Sequence, residues 1–194
     1  RDSFLDKTAD DFYESYFKEI RGLFCSQEGK EYLYTSGGLY LYDGVKDSFV
    51  KHFPAYEAMK DVQVYSMNMD AYGRFWLGTI NGLQVYDKRG VLVKNELLKT
   101  RSKTFASNVL KLDERCFLVS FMQEGLWLMR INADGSISSP HSIRTPFHNV
   151  TYLLKDRNGR VWCATDGEGL WYSDEWKRVI SCSFLLMEDI LNTK

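Results

Sequence analysis

The chain contains four copies of one short pattern, and their regular spacing limits the folds that it can adopt. In each copy a glycine precedes a leucine, and successive leucines are separated by 44, 43 and 44 residues. These residues are Leu39, Leu83, Leu126 and Leu170. A period of about 40–50 residues of strand-like sequence is typical of β-propeller blades. The repeat therefore predicts an all-β protein built of blades.

The fourth copy shows how one repeat divides into four short strands. A turn at 156–159 follows the first strand, because aspartate can accept hydrogen bonds from the following backbone and glycine adopts a left-handed conformation. The predicted strands of this copy are Val150–Lys155, 160–165, Leu170–Ser173 and 177–181. The same division predicts first strands at Ile20–Cys25, Val64–Met69 and 109–112. It predicts fourth strands near 49–53, 91–95 and 137–143.

This division predicts four four-stranded antiparallel repeats of about 43–44 residues within residues 20–182. Their predicted bounds are 20–59, 60–104, 105–145 and 146–182. Residues 1–19 are expected to form the outer strand of a preceding blade or a short helix, and 183–194 a C-terminal tail. Because stacked blades leave an open sheet face at each end, we expect a segment of a larger, partial propeller that can self-associate through its open edges.

One large ring recurs at the same place in each copy, after the turn. A blade cannot bury both faces of its sheet alone, so a ring at this place is expected to fill the wedge between neighbouring blades. The aligned residues are Tyr32, Trp76, Phe117 and Trp162. We interpret them as structural residues.

Composition and motifs exclude several classes of function. The net charge is -1, from 25 basic and 26 acidic residues, which gives no electrostatic reason to expect nucleic acid or an anionic membrane as a partner. The 3 histidines lie at different phases of the repeat, so no metal site and no cofactor are expected. No nucleophile elbow or phosphate-binding loop is present, and we predict that the segment is not an enzyme.

The four cysteines lack the C-x-x-C spacing of zinc and dithiol motifs. Cys116 and Cys163 lie inside predicted strands, where a small apolar residue is suitable. Buried free thiols are one interpretation, and a disulfide bond in an oxidising compartment is the other.

The pattern Asp-x-x-Gly-Arg-x-Trp, followed by threonine and then Gly-Leu, resembles the two-component regulator propeller repeat. The second copy, from Asp70 to Leu83, and the fourth, from Asp156 to Leu170, match it well. The first copy has Ser26 for the turn aspartate, and the third has a shortened turn before Phe117. The resemblance covers about residues 20–181.

The resemblance implies the periplasmic sensor region of a Bacteroidetes hybrid histidine kinase, anchored in the inner membrane by a segment outside this chain. It implies a non-catalytic sensor that responds to an extracellular carbohydrate, with an oligosaccharide as the ligand. Two alternatives remain open at this point: a protein-interaction scaffold, and a propeller lyase or glycan-processing enzyme.

Ligands of propellers usually meet the loops around the central channel. These loops join the second and third strands of a blade or lead into its first strand. The candidate ligand-binding residues are Asn81, Gln123, Glu124, Asp166, Glu168, Arg144, His148 and Asn149. The same loops also contain Ser36, Lys60, Asp61 and Asn108.

Overall fold

The computed structural model describes residues 19–51, 62–93, 104–174 and 184–187. Within these ranges the regular elements are β-strands, and no residue is helical. The first seven strands are β1 Ile20–Cys25, β2 Glu31–Thr35, β3 Gly38–Asp43, β4 Ser48–Lys51, β5 Val64–Met69, β6 Phe75–Thr79 and β7 Gly82–Tyr86. The others are β8 Ala106–Lys111, β9 Cys116–Phe121, β10 Gly125–Arg130, β11 His141–Ile143, β12 Val150–Lys155, β13 Val161–Thr165, β14 Leu170–Ser173 and β15 Leu185–Leu186.

The strands form four antiparallel sheets in which each strand pairs with its neighbours in the chain. Blade 1 contains β1–β4, blade 3 contains β8–β11, and blade 4 contains β12–β15. Blade 2 contains β5–β7, and a bridge between Tyr86 and Leu92 stands in the place of a fourth strand. This up-and-down order is that of propeller blades, so the predicted fold class is confirmed. The bounds of the four repeats stay a prediction.

The outer strand of blade 4 differs from the prediction. Leu185 pairs with Tyr172, so residues assigned to the C-terminal tail are part of the blade. The physical reason is the anchoring of Phe184, whose buried ring packs against Phe147 with centroids 5.1 Å apart. The predicted strand at 177–181 and residues 1–18 lie outside the described residues.

The turn aspartate is the main organiser of blades 2 and 4. Asp70 accepts hydrogen bonds from the backbone N–H groups of Tyr72 and Arg74, both at 2.9 Å. It also accepts from Arg74 Nε at 2.6 Å and from Trp76 Nε1 at 2.9 Å. Asp156 makes the equivalent bond with Trp162 Nε1 at 3.0 Å. This indole bond is the main reason that the pKa of Asp156 lies below its ordinary value.

The third repeat is displaced by one residue relative to the sequence alignment. The N–H of Leu112 donates to Cys116, as the N–H of Asp70 donates to Arg74, so Leu112 takes the position of the turn aspartate. In the pairing of the first and second strands, Leu118 occupies the place in blade 3 that Trp76 occupies in blade 2. Leu118 is therefore at the tryptophan position of the repeat. Phe117 lies on the opposite face of its sheet. The alignment of Phe117 with Trp76 is therefore wrong.

Large rings fill the spaces between the blades, as the sequence predicts. Tyr32 of blade 1 packs edge-on against Phe75 of blade 2 with centroids 5.4 Å apart. Trp76 of blade 2 stacks on Phe117 of blade 3 at 4.3 Å, with the ring planes 3° apart. Phe117 thus faces back towards blade 2. Trp162 of blade 4 lies on a face that is covered by no other blade among the described residues.

The structure supports the interpretation of the cysteines as buried free thiols rather than as a disulfide bond. Cys116 and Cys163 are buried free thiols, and Cys25 is an exposed free thiol. Burial raises the pKa of Cys163 to about 12, so this thiol stays protonated and unreactive. Cys182 lies outside the described residues.

Candidate ligand-binding site

The predicted channel loops come together at one end of blades 1, 3 and 4. The N–H of Ser36 donates to Glu19 O at 2.9 Å, and the N–H of Asp166 donates to Asn149 O at 2.8 Å. In blade 3 the N–H of Met122 makes the same bond with Phe105 O at 2.9 Å. Each bond joins the loop after the second strand to the segment that leads into the first. The two kinds of loop therefore share one rim.

Blade 4 assembles four of the predicted residues into one cluster. Glu168 accepts hydrogen bonds from the backbone N–H of His148 at 2.8 Å and of Asn149 at 3.2 Å. Its other oxygen lies 3.5 Å from His148 Nδ1. The N–H of His148 is the main reason that the pKa of Glu168 lies below its ordinary value. Glu168 therefore orders the lead-in loop beside Asp166.

The other predicted residues are distributed along the rim. Glu124 accepts a hydrogen bond from Thr104 Oγ1 at 2.8 Å, again joining the two loops of one blade. Asn81, Gln123 and Arg144 are exposed, and among the described residues their side chains bond to none of the cluster. Lys60 and Asp61 lie outside the described residues. Asn108 is wrongly placed in a loop, since it lies within β8.

A cavity lies below the rim, where the first strands of all four blades meet. Its volume is about 410 Å³, within the range of small-molecule pockets. Residues of β1, β5, β8 and β12 line it, together with Tyr34 of β2. The sequence prediction missed this surface because it considered only loops. The polar residues Ser66, Asn68 and Ser107 within otherwise apolar inner strands are the signal that could have found it.

One irregularity recurs in the lining of this cavity. The pairing of each first strand with its second shifts by one residue, at aligned positions in all four blades. A β-bulge of this kind leaves one residue unpaired and redirects its side chain. The residues at these bulges are Arg21, Tyr65, Ser107 and Thr151, and each of them lines the cavity. The bulges therefore create the surface that faces the channel.

Side chains of the inner strands bond across the blades. Ser66 Oγ accepts from the N–H of Val109 at 2.8 Å, and Ser107 Oγ donates to Val150 O at 2.8 Å. Asn108 Nδ2 donates to Thr151 O at 2.8 Å. These bonds hold neighbouring blades together at the channel and satisfy backbone groups on the open edges of the innermost strands.

Aromatic groups and one guanidinium complete the lining. The guanidinium of Arg21 lies 3.9 Å from the centre of the Tyr65 ring, and Tyr65 packs edge-on against Phe105 at 4.5 Å. Burial, and after it the Tyr152 phenol, raises the pKa of Tyr34. Such a mixture of rings and hydrogen-bonding groups suits a hydroxylated organic ligand. In the described ranges, no group of three or more His, Cys, Asp or Glu residues is arranged to hold a metal.

Residues 146–167 match the family model described as two component regulator propeller. The predicted resemblance is confirmed at this repeat. The matched segment contains His148 and Asn149, whose N–H groups bond to Glu168. It also contains the turn aspartate Asp156. A search of curated proteins finds no match. No helix in the described part of the chain is long and apolar enough to span a membrane.

Solved structures with a similar fold include two Bacteroides proteins and one enzyme. The extracellular domain of a B. thetaiotaomicron protein described as a one component system has a TM-score of 0.67 and 18% identity, over 91% of this chain and 25% of that one. An auxiliary nutrient binding protein from Bacteroides ovatus has a TM-score of 0.58 and 8% identity, over 81% of this chain and 45% of that one. Virginiamycin B lyase from Staphylococcus aureus has a TM-score of 0.54 and 12% identity, over 86% of this chain and 54% of that one.

At these identities the structural similarity establishes the propeller fold alone. The chain spans about a quarter of the length of the B. thetaiotaomicron domain. A lyase shares the fold with binding and signalling proteins, so function has to be argued from the site.

Proposed function

We propose that this chain is a non-catalytic, ligand-binding segment of the sensor propeller of a two-component signalling protein. The observation that carries the proposal is the two-component regulator propeller match at residues 146–167. The cavity of about 410 Å³ between the four inner strands supplies a place for a ligand. Extracellular Bacteroides domains of similar fold, one of them described as part of a hybrid two component system, support a periplasmic location in an inner-membrane hybrid histidine kinase.

The proposed ligand is an oligosaccharide. Sugars present both hydroxyl groups and apolar ring faces, and the cavity presents both amide and hydroxyl groups and aromatic rings. Asn81 and Asp166 are exposed residues of the rim, and they are proposed to contact the outer units of a longer sugar chain.

A signal would arise from the packing of the blades. A ligand that touches the inner strands of four blades favours the arrangement in which all four contacts form together. The resulting rigid-body change would pass along the propeller towards the membrane anchor of the parent protein. Glu168 is unsuited to act as a general acid, because two backbone N–H groups hold its carboxylate in the ionised form. A general acid would require the opposite shift of its pKa.

The proposal predicts that the purified chain binds at least one oligosaccharide. Isothermal titration against neutral and acidic di- and trisaccharides is the measurement. The double variant Asn81→Ala/Asp166→Ala is expected to weaken binding of the trisaccharide by about tenfold, roughly the effect of one or two lost hydrogen bonds. Binding of the disaccharide should change less, because fewer of its units extend beyond the cavity towards the rim.

The variant Asn81→Ala/Asp166→Ala should unfold at the wild-type temperature, because both residues are exposed. An absence of binding to every member of the panel by the wild-type chain would contradict the proposed function. If the double variant weakened the binding of di- and trisaccharides equally, the proposed contact between the rim residues and the outer sugar units would be contradicted.

The open face of blade 4 predicts self-association of the purified chain. Tyr152, Leu154 and Leu170 are 60%, 48% and 38% exposed there and border an apolar groove of about 340 Å³ beside Trp162. The corresponding faces of blades 1, 2 and 3 are covered by the next blade. In a purified sample only a second copy can supply another blade, and blade 1 exposes Leu23 on its outward face. We therefore propose a head-to-tail contact between copies.

Sedimentation velocity at increasing protein concentration tests this contact. The wild-type chain is expected to sediment faster as its concentration rises, and Leu154→Lys is expected to remain a monomer. Val91→Lys is the matched control, since Val91 is 58% exposed on blade 2, away from the groove. A wild-type monomer at every concentration would contradict the proposed contact.

A further inference from the structure

We propose that the inner-strand cavity is a subsite for one uncharged sugar unit, held by Tyr34 and Arg21 of blade 1 and by Tyr152 of blade 4. This inference rests on the proposed function and names the ligand class and the residues that select it. It is carried by the geometry of the cavity, in which groups from the first and the last blade border the same space of about 410 Å³.

Tyr34 reaches this cavity because of a glycine in the facing strand. A Cβ atom at Gly22 would lie 2.3 Å from the Tyr34 hydroxyl oxygen, so any other residue at that position would displace the phenol. The equivalent positions of blades 2, 3 and 4 carry Ser66, Asn108 and Tyr152. Only blade 1 thus leaves room for a ring from its second strand. Tyr152 is 60% exposed in the single chain, so its phenol is open to a ligand when no second copy covers the face of blade 4.

The charges of the lining favour an uncharged ligand. Among the described residues that border the cavity, Arg21 is the one charged side chain. Its guanidinium is already paired with Glu19 Oε2 at 2.5 Å. A carboxylate or sulfate on the ligand would lose its hydration without gaining a cation of its own, which is costly in a confined site. A sugar that carries only hydroxyl groups avoids this cost.

The hydrogen-bonding groups of the lining suit hydroxyl groups. Arg21 lines the cavity, and its guanidinium has N–H donors besides the Nη2 group that pairs with Glu19, so it can donate to a ligand oxygen. Asn68 and Asn108 use their amide nitrogens on the backbone of the next blade. Their amide oxygens are left to accept hydrogen bonds from sugar hydroxyls. The site therefore offers both a donor and acceptors beside the Tyr152 ring.

Titration of the full chain with maltose, cellobiose and lactose as neutral probes, and digalacturonic acid as the acidic probe, tests this subsite. We expect at least one neutral disaccharide to bind, and Tyr152→Ala to weaken its binding by about tenfold or more. Tyr34→Phe, which removes one hydroxyl group, is expected to weaken it by about fivefold. Tyr72→Ala is the control, because Tyr72 is 49% exposed and lies outside the cavity. Thermal unfolding of each variant excludes misfolding as the cause.

The possible outcomes separate the subsite from the general function. Binding of a neutral disaccharide that Tyr152→Ala and Tyr34→Phe leave unchanged would overturn the subsite and leave the sensor function standing. Binding of digalacturonic acid with no neutral binding would overturn the ligand class alone. An absence of any carbohydrate binding would overturn both the proposed function and the inference that rests on it.

Discussion

Replacing Asp70 by alanine is expected to lower the free energy of unfolding by about 3–5 kcal/mol, the range for removing one partner of a buried ion pair. The Asp70 side chain is fully buried, and it accepts from the Arg74 guanidinium, the Trp76 indole and two backbone N–H groups. Its removal would leave the Arg74 guanidinium, whose side chain is 12% exposed, without a counter-charge. Arg74 also donates to Gly135 O of blade 3 at 2.7 Å, so the damage would extend to a second blade.

Asp87→Ala is the matched control for this prediction. Asp87 organises a similar turn through hydrogen bonds from the N–H groups of Arg89 and Val91, both at 2.9 Å. It has neither a buried cation nor an indole as a partner in the described structure, so its loss should cost about 1 kcal/mol. Urea unfolding followed by circular dichroism measures both variants. Equal losses for Asp70→Ala and Asp87→Ala would show that the buried charge network adds nothing to the turn.

The second large effect is expected from Trp76→Ala, which should lower the free energy of unfolding by about 3–5 kcal/mol. Trp76 is 0% exposed and stacks on Phe117 of the next blade. Its replacement would open a cavity between blades 2 and 3, where the neighbouring backbone strands can close only partly. It would also remove the donor of the Asp70 hydrogen bond.

Trp162→Ala separates the contribution of the blade interface from that of the turn. Trp162 makes the same indole bond, to Asp156, but it is only half-buried and faces no further blade in the described structure. We therefore expect a clearly smaller loss than for Trp76→Ala. If the two variants lost the same stability in the same urea titration, the indole bond rather than packing between blades would be the main contribution of both residues.

The candidate site was predictable only where local sequence determines it. Polar loop residues near the strand ends indicated the rim, and His148, Asn149, Asp166 and Glu168 do come together there. Arg144 and Asn81 lie on exposed loops outside that cluster, because each belongs to a different part of the rim. The cavity residues were missed, since a register shift of one residue within a strand leaves no clear mark in the sequence.

The sequence by itself determined the repeat period and the aspartate turns of blades 2 and 4. The reason is that these features depend on interactions between residues a few positions apart, such as the bonds from Asp156 to Asn158, Arg160 and Trp162. A period of about 40–50 residues then permits few arrangements besides stacked blades.

Only the tertiary structure decided which side chains meet between blades. It placed Phe117 opposite Trp76 rather than in the tryptophan position, and it added Leu185 to the edge of blade 4. It also turned Arg21 and Tyr65 towards the channel through the bulges of the inner strands. These contacts join residues about one repeat apart or depend on a one-residue shift in pairing, and a one-residue shift moves a side chain to the other face of its sheet. Packing of whole sheets, rather than local preference, determines them.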